Sequence, residues 1–320
     1  MLPLPLPLIR VLDLTTSIAG ASASRTLADF GAEVIVVERP AVPREAMTQY
    51  GRNKFSCVMD PTAAASHDLL LRLAAKCHVV LQDDADDAMK TLDYGALRAV
   101  RNDIVFAVIG EGRERPGLGN VAAGAVMTAL FHVRFRGEGQ EVRVGFPAAV
   151  ASMSSAPIVA ATSGSEQLTP DLPPSGCYAC TDGSIAVVVR SIEDLAALGE
   201  VVGHPELVDA VTGGEDLSEE LAEWTSTRAA HAAAIELRDH GVPAQRVLTA
   251  AELREDPHMI ARGVFEPVAT GGGIVETEGP RVRFCRTPLH TRFPVPDAGE
   301  HNAYVLRDLI GMTDEEIAAL

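Results

Sequence analysis

The chain has 320 residues, of which 47% are apolar and 22% charged, with a formal charge of −17. That length suggests two lobes with ample interior for a core, and the charge excludes the basic surface that nucleic-acid binding needs. A small phosphate-bearing ligand stays compatible, because it requires only a local basic pocket. Aromatic residues make up 4%, so the core is built from Val, Leu, Ile and Ala, the palette of parallel strands covered by helices.

The opening "MLPLPLPLIR" is apolar, but Pro3, Pro5 and Pro7 interrupt any signal helix, and no uninterrupted apolar run approaches the length of a membrane span. Five scattered cysteines (57, 77, 177, 180 and 285) do not make a disulfide framework. A cytoplasmic protein with no membrane partner is expected.

Strands are expected at Ile9–Leu14, Val34–Val37, Val79–Leu81 and Ile104–Ile109. Helices alternate with them at Ala21–Phe30, Pro61–Ala75 (Asp60 as N-cap) and Ala85–Val100. This order indicates βαβ units on a buried parallel sheet, an α/β fold. Ala122–Phe135 reads as a buried small-residue helix and Glu141–Val144 as a strand. The stretch 161–175, "ATSGSEQLTPDLPPS", reads as a linker. Beyond it, Gly176–Cys180 and Ser184–Val189 form a hairpin around "TDG". Helices follow near Glu193–Val202, Pro205–Val211 and Leu217–His240, with strands near Ala244–Leu248 and Val264–Val268. The tail Gly299–Leu320 is helical again, with Val305, Leu306, Leu309 and Ile310 on one face.

Chemistry-bearing motifs are sparse. The turn after the first strand, "TTSIAGASAS", occupies the ligand position of a doubly wound sheet but lacks a G-x-G-x-x-G fingerprint. Cys177-x-x-Cys180 has ligand spacing without a second pair, so no metal site is expected. His132 reads as a helix-surface residue, and Glu193 as an acid in the first turn of a helix.

Several stretches in order resemble the class III CoA-transferase family, which includes formyl-CoA and carnitine CoA-transferases and α-methylacyl-CoA racemase. They include "IRVLDLTTSIAGASASRTLADFGAEVIVVERP", "GRNKFSCVMD", "LDYGALRAVRNDIVFAVIGEG", "RGEGQEVRVGFPAA" and "LAEWTSTRAAHAAAIELRDHGVPAQRVLTAAELREDPHMIARGVF". The resemblance implies a Rossmann-like large CoA-binding domain over 1–160, completed by 286–320. It also implies a smaller α+β domain over 176–285 and two chains interlocked as a dimer. Coenzyme A or an acyl-CoA is then the ligand, with no tightly bound cofactor. By position Ser17, Ile18 and Ala19 line the CoA channel, Arg39 meets a nucleotide phosphate, and Asn53 and Lys54 match the family's "RNK".

Three departures stand out. The segment that carries the transferase's nucleophilic aspartate is "VRVGFPAA" here, which puts Ala148 at the nucleophile and Arg143 at an earlier acid. A methyl group cannot form an acyl anhydride. A block between the fourth expected strand and the following helix is reduced to "RERPGLGN", and acids fill "QDDADD" after the third. Glu193 matches an active-site glutamate of the racemase branch. The implied function is an acyl-CoA-handling protein, the nucleophile-lacking subunit of a heteromeric CoA-transferase that pairs with itself or an aspartate-bearing homologue. A degenerate homodimer that binds acyl-CoA without catalysis, and a racemase-branch enzyme with altered acid–base residues, are the other readings.

Overall fold

Parallel strands join through helices that cross from one end of the sheet to the other, and this connection dominates the first half of the chain. The structure is a computed structural model describing residues 4–40, 43–61, 63, 66–84, 92–110, 114–153, 158–159, 162–163, 172–205, 218–270 and 272–318. It divides into two units, Met1–Ser154 with Ile260–Leu320, and Ser155–Met259. The chain thus rejoins the first unit at 260, where the sequence reading has it return at 286.

In the first unit, strands β1 (Arg10–Asp13), β2 (Glu33–Glu38), β3 (Lys54–Val58), β4 (Val79–Asp83), β5 (Val105–Ile109) and β6 (Glu141–Val144) form one parallel sheet in the order β3-β2-β1-β4-β5-β6. Leu12 pairs with Ile35 on one side and Val80 on the other, so β1 is central. The order reverses between β1 and β4, the switch point where such sheets hold ligands beyond the strand carboxyl ends. Helices α1 (Ile18–Asp29), α2 (Glu45–Tyr50), α3 (Ser66–Ala74), α4 (Tyr94–Val100), α5 (Pro116–Arg136) and α6 (Phe146–Met153) connect the strands or follow them.

One face of the sheet packs Val11, Val34, Val36 and Leu81 against α1 and α5. Gly119 sets this helix–helix distance, because a Cβ there would lie 2.3 Å from the Ala19 carbonyl oxygen. The other face packs Leu12, Ile35, Cys57 and Val80 against α3, α4 and the tail. Each wholly buried Leu or Ile contributes about 1.5–3 kcal/mol relative to exposure.

Several sequence expectations shift. The strand β3 was not foreseen. Of the expected helix Pro61–Ala75 the described helical part is α3, residues 62, 64 and 65 lie outside the described residues, and the Asp60 carbonyl accepts from Ala63 N. Of Ala85–Val100 the described part is α4, capped by Asp93, while 85–91 lie outside the described residues. Helix α5 is only partly buried: Phe131 and Phe135 are 65% and 67% exposed and touch edge to face. Among the described residues α5 alone is long and apolar enough to cross a membrane, yet its Leu118, Ala122 and Val126 face the sheet layer as a core helix does.

The second unit holds an antiparallel sheet of β7 (Leu172–Cys180), β8 (Gly183–Val189) and β9 (Ala244–Val247). Helices α7 (Ile192–Val202), α8 (Ser218–Ser226), α9 (Ala230–Asp239), α10 (Ala250–Glu255) and α11 (Pro257–Ala261) accompany it. Most of the expected linker 161–175 lies outside the described residues, and its end from Leu172 already pairs in β7. The expected helix Pro205–Val211 lies outside them from residue 206. Leu217–His240 is two helices, not one. The hairpin turn interrupts it: Arg228 O accepts from Thr181 N, and Asp182 Oδ1 accepts from Ala230 N at 2.6 Å to start α9.

From Ile260, within α11, the first unit resumes and continues with the hairpin β10 (Phe265–Thr270) and β11 (Gly273–Glu278), then a π-helical segment α12 (Ala303–Leu309) and α13 (Asp314–Ala318). The apolar tail face finds its surface within the chain. Val305, Leu306 and Ile310 are at most 7% exposed against the sheet.

Candidate functional site

At the switch point, the turn from β1 into α1 brings Thr15, Thr16 and Ser17 over the end of β4. Ser17 is the N-cap of α1, its Oγ accepting from Gly20 N. Helix amino ends attract anions because their first N–H groups lack partners. Here the anion is internal. Asp83, wholly buried, accepts from Thr16 N (2.7 Å), Ser17 N (3.0 Å) and Ser17 Oγ (2.6 Å). The acid run "QDDADD" therefore turns one carboxylate inward to lock this turn. Of the three expected channel residues, Ser17 and Ala19 are buried, and Ile18 alone is partly exposed.

Beyond β2 lies a cavity of about 80 Å³ lined by Thr15, Thr16, Glu38, Arg39, Arg44 and Met47. Arg39 is partly exposed on its wall. Arg44 donates to Glu38 through Nε (2.6 Å) and Nη2 (3.0 Å), and this hydrogen-bonded pairing raises its pKa. Sequence reasoning passed over Arg44. Its signal was the second arginine shortly after Arg39, in "RPAVPRE".

Asn53 and Lys54 face inward. Asn53 holds a left-handed backbone (φ +61°), donates to Asp29 Oδ1 at 2.8 Å, and accepts from the Arg292 and Phe293 N–H groups. It thereby ties the segment leading to the tail onto the sheet. Lys54 is 1% exposed, donates to Ser24 Oγ (2.7 Å) and Ala21 O (3.0 Å), and lies 3.6 Å from Asp13. Burial lowers its pKa, opposed by the nearby Asp13 charge. Both polar groups are engaged beneath α1.

The ends of β4, β5 and β6 line a third place, a cavity of about 280 Å³ walled by Asp84, Gly110, Arg143, Val144, Gly145 and Pro147. Arg143 contacts Glu141 (2.5 Å) and reaches Asp84 at 3.9 Å, with its side chain 66% exposed. Helix α6 opens beside this cavity, and Ala148 stands exposed on its first turn. In the second unit, Glu193 is exposed in the first turn of α7, whose N-cap is Ser191. A hydrogen bond from Ser191 lowers its carboxyl pKa. His132 and Cys177 are exposed on α5 and β7. Among the described residues no cluster of His, Cys, Asp or Glu could hold a metal ion.

A six-stranded parallel βαβ sheet and a separate α+β unit make this an α/β protein. Comparison with known sequences then gives the family: CoA-transferase family III matches residues 6–111 and 116–302, and the chain belongs to it. The break at 112–115 falls in the stretch where the sequence reading places the shortened block. The chain is 27% identical to succinyl-CoA–D-citramalate CoA-transferase of Chloroflexus aurantiacus, over 99% of this chain and 97% of that one. That alignment runs to 394 residues, so the relative carries segments this chain lacks. It is 24% identical to the succinyl-CoA–L-malate CoA-transferase alpha subunit of the same organism, over 99% and 86% of the two chains. The fold matches a CAIB/BAIF family protein from Brucella suis with a TM-score of 0.77 at 22% identity, covering 95% of this chain and 100% of that one.

Proposed function

We propose that this chain is the nucleophile-lacking subunit of a heteromeric, cytoplasmic class III CoA-transferase, acting on an acyl-CoA beside an aspartate-bearing homologue. The observation that carries this reading is Ala148, a methyl group on the first turn of α6 at the rim of a cavity beyond the parallel sheet. Acyl transfer through a mixed anhydride needs a carboxylate to attack the thioester carbon and release CoA as a thiolate. Alanine can do neither that nor accept a proton. The name of the malate enzyme's alpha subunit supports the heteromer, since it describes a relative that works as one part of an assembly.

In this reading the chain keeps a CoA-binding role. Ile18 offers its side chain beside the pantetheine path, and Ser17 and Ala19 fix the turn beneath it. Arg39, with Arg44 on the same wall, meets a nucleotide phosphate through a charge-assisted contact. Asn53 and Lys54 act from beneath, Lys54 bracing α1 and Asn53 tying the segment before the tail to the sheet. Glu193, exposed in the first turn of α7, is the acid this reading offers to an acyl group in an interlocked dimer. The test is purification from the native host: an aspartate-bearing homologue that travels with this chain supports the reading, and a homodimer that turns over acyl-CoA unaided refutes it.

A further inference from the structure

The stretch from Gly279 to Thr291 reads "GPRVRFCRTPLHT", basic and free of Asp and Glu in a chain of net charge −17. It leaves β11 beside a cleft of about 340 Å³ lined by Arg262, Gly263, Glu278, Gly279, Arg281 and Arg283. Behind the cleft stand two more guanidinium groups, nearly buried. Arg25 reaches Glu278 Oε1 at 2.9 Å, and Arg52 donates to the carbonyls of Glu278 and Gly279 while pairing with Asp29. Burial, then repulsion from Arg52, lowers the pKa of Arg25, with the Glu278 and Asp29 charges opposing.

The carboxylates present do not cancel the charge of these arginines. Glu278 is shared by Arg25 and Arg281, Asp29 is taken by Arg52, and Glu266 accepts from Thr291 N. Arg262 and Arg283 are exposed and have no ion-pair partner among the described residues. Gly263 holds a left-handed backbone (φ +59°) with open space where a Cβ would project, so the cleft mouth stays clear.

We propose that this cleft is an anion site for a phosphate-bearing small molecule, gripped by the guanidinium groups of Arg262, Arg281 and Arg283. Planar forks of this kind match phosphate oxygens two at a time. The site is separate from the strand-end cavity that holds Arg39. Arg25 lies seven residues into the run from Ile18, about 10 Å along α1 from its amino end. The inference does not depend on the acyl-CoA reading.

Calorimetry of the full chain with inorganic pyrophosphate, at low salt and again at ~0.5 M salt, tests it. Binding that weakens with salt is expected. Arg262→Ala and Arg283→Ala, both exposed positions, should each weaken it about ten-fold. A parallel titration with CoA identifies the source of the phosphate. CoA affinity that falls in Arg262→Ala points to its own phosphates, and unaltered CoA affinity points to a separate metabolite. Absent pyrophosphate binding, or binding indifferent to both arginines, overturns the proposal. So does a dimer that dissociates in the two variants when the parent binds no pyrophosphate, since the cleft would then be a protein contact.

Discussion

Replacing Lys54 by methionine separates a ligand contact from a structural one. The side chain is 0% exposed, with its ammonium 2.7 Å from Ser24 Oγ, 3.0 Å from Ala21 O and 3.6 Å from Asp13 Oδ2. Methionine keeps the length and removes the charge. Among the described residues Asp13 then retains Thr15, which donates from its N–H (3.0 Å) and hydroxyl (2.6 Å). Breaking one partner out of a buried pair costs about 3–5 kcal/mol. With a urea slope of about 2 kcal/mol/M, the midpoint should fall by roughly 1.5–2.5 M. Burial lowers the Lys54 pKa, so the unfolded chain holds that proton more tightly. The parent should therefore gain stability relative to the variant as pH rises toward 10.5. Calorimetry with CoA on folded variant should show affinity within about three-fold of the parent. Unchanged stability with CoA binding weakened ten-fold would refute the structural role and place Lys54 in the ligand site.

Arg39→Ala should weaken CoA about ten-fold or more, the loss of one charge-assisted phosphate contact; calorimetry showing equal affinity would move the nucleotide elsewhere. Hydroxylamine trapping with an acyl-CoA should leave every carboxylate of the parent unmodified, whereas Ala148→Asp should yield a hydroxamate at residue 148 by mass spectrometry. A trapped acid in the parent would contradict the loss of the nucleophile. His78, whose Nδ1 accepts from Arg10 N at 3.1 Å, has its pKa lowered chiefly by burial. The unfolded chain then binds the proton more readily, so this group's stabilisation is full above pH 6.5 and fades as pH falls through the folded value. Denaturant unfolding between pH 7 and 5 should show that loss in the parent and less of it in His78→Asn.

The alternation of apolar strands and helices made β1, β2, β4 and β5 legible, because continuous Val/Ile/Leu runs have few other uses. Strand β3 escaped for a physical reason. Lys54 and Ser56 are polar yet buried, satisfied by α1 and by Glu38, and hydrophobic periodicity cannot register a polar group whose partners are distant in sequence. The tail showed its need for a surface through Val305, Leu306 and Ile310, and the chain's own sheet supplies it. Helix α5 shows the converse: its small apolar residues read as buried throughout, but only the side toward α1 and the sheet is covered. At the strand ends, the acid run after β4 was visible. That Asp83 turns inward to cap Thr16 and Ser17, more than sixty residues earlier, was not.

Acyl-CoA transfer by this chain alone, measured against transfer by its co-expressed complex with an aspartate-bearing homologue, tests the central claim most directly. The account predicts no turnover for the isolated chain. It predicts turnover for the complex that disappears when the homologue's aspartate is replaced and persists when Ala148 is changed to serine. Sustained turnover by the isolated chain would contradict it.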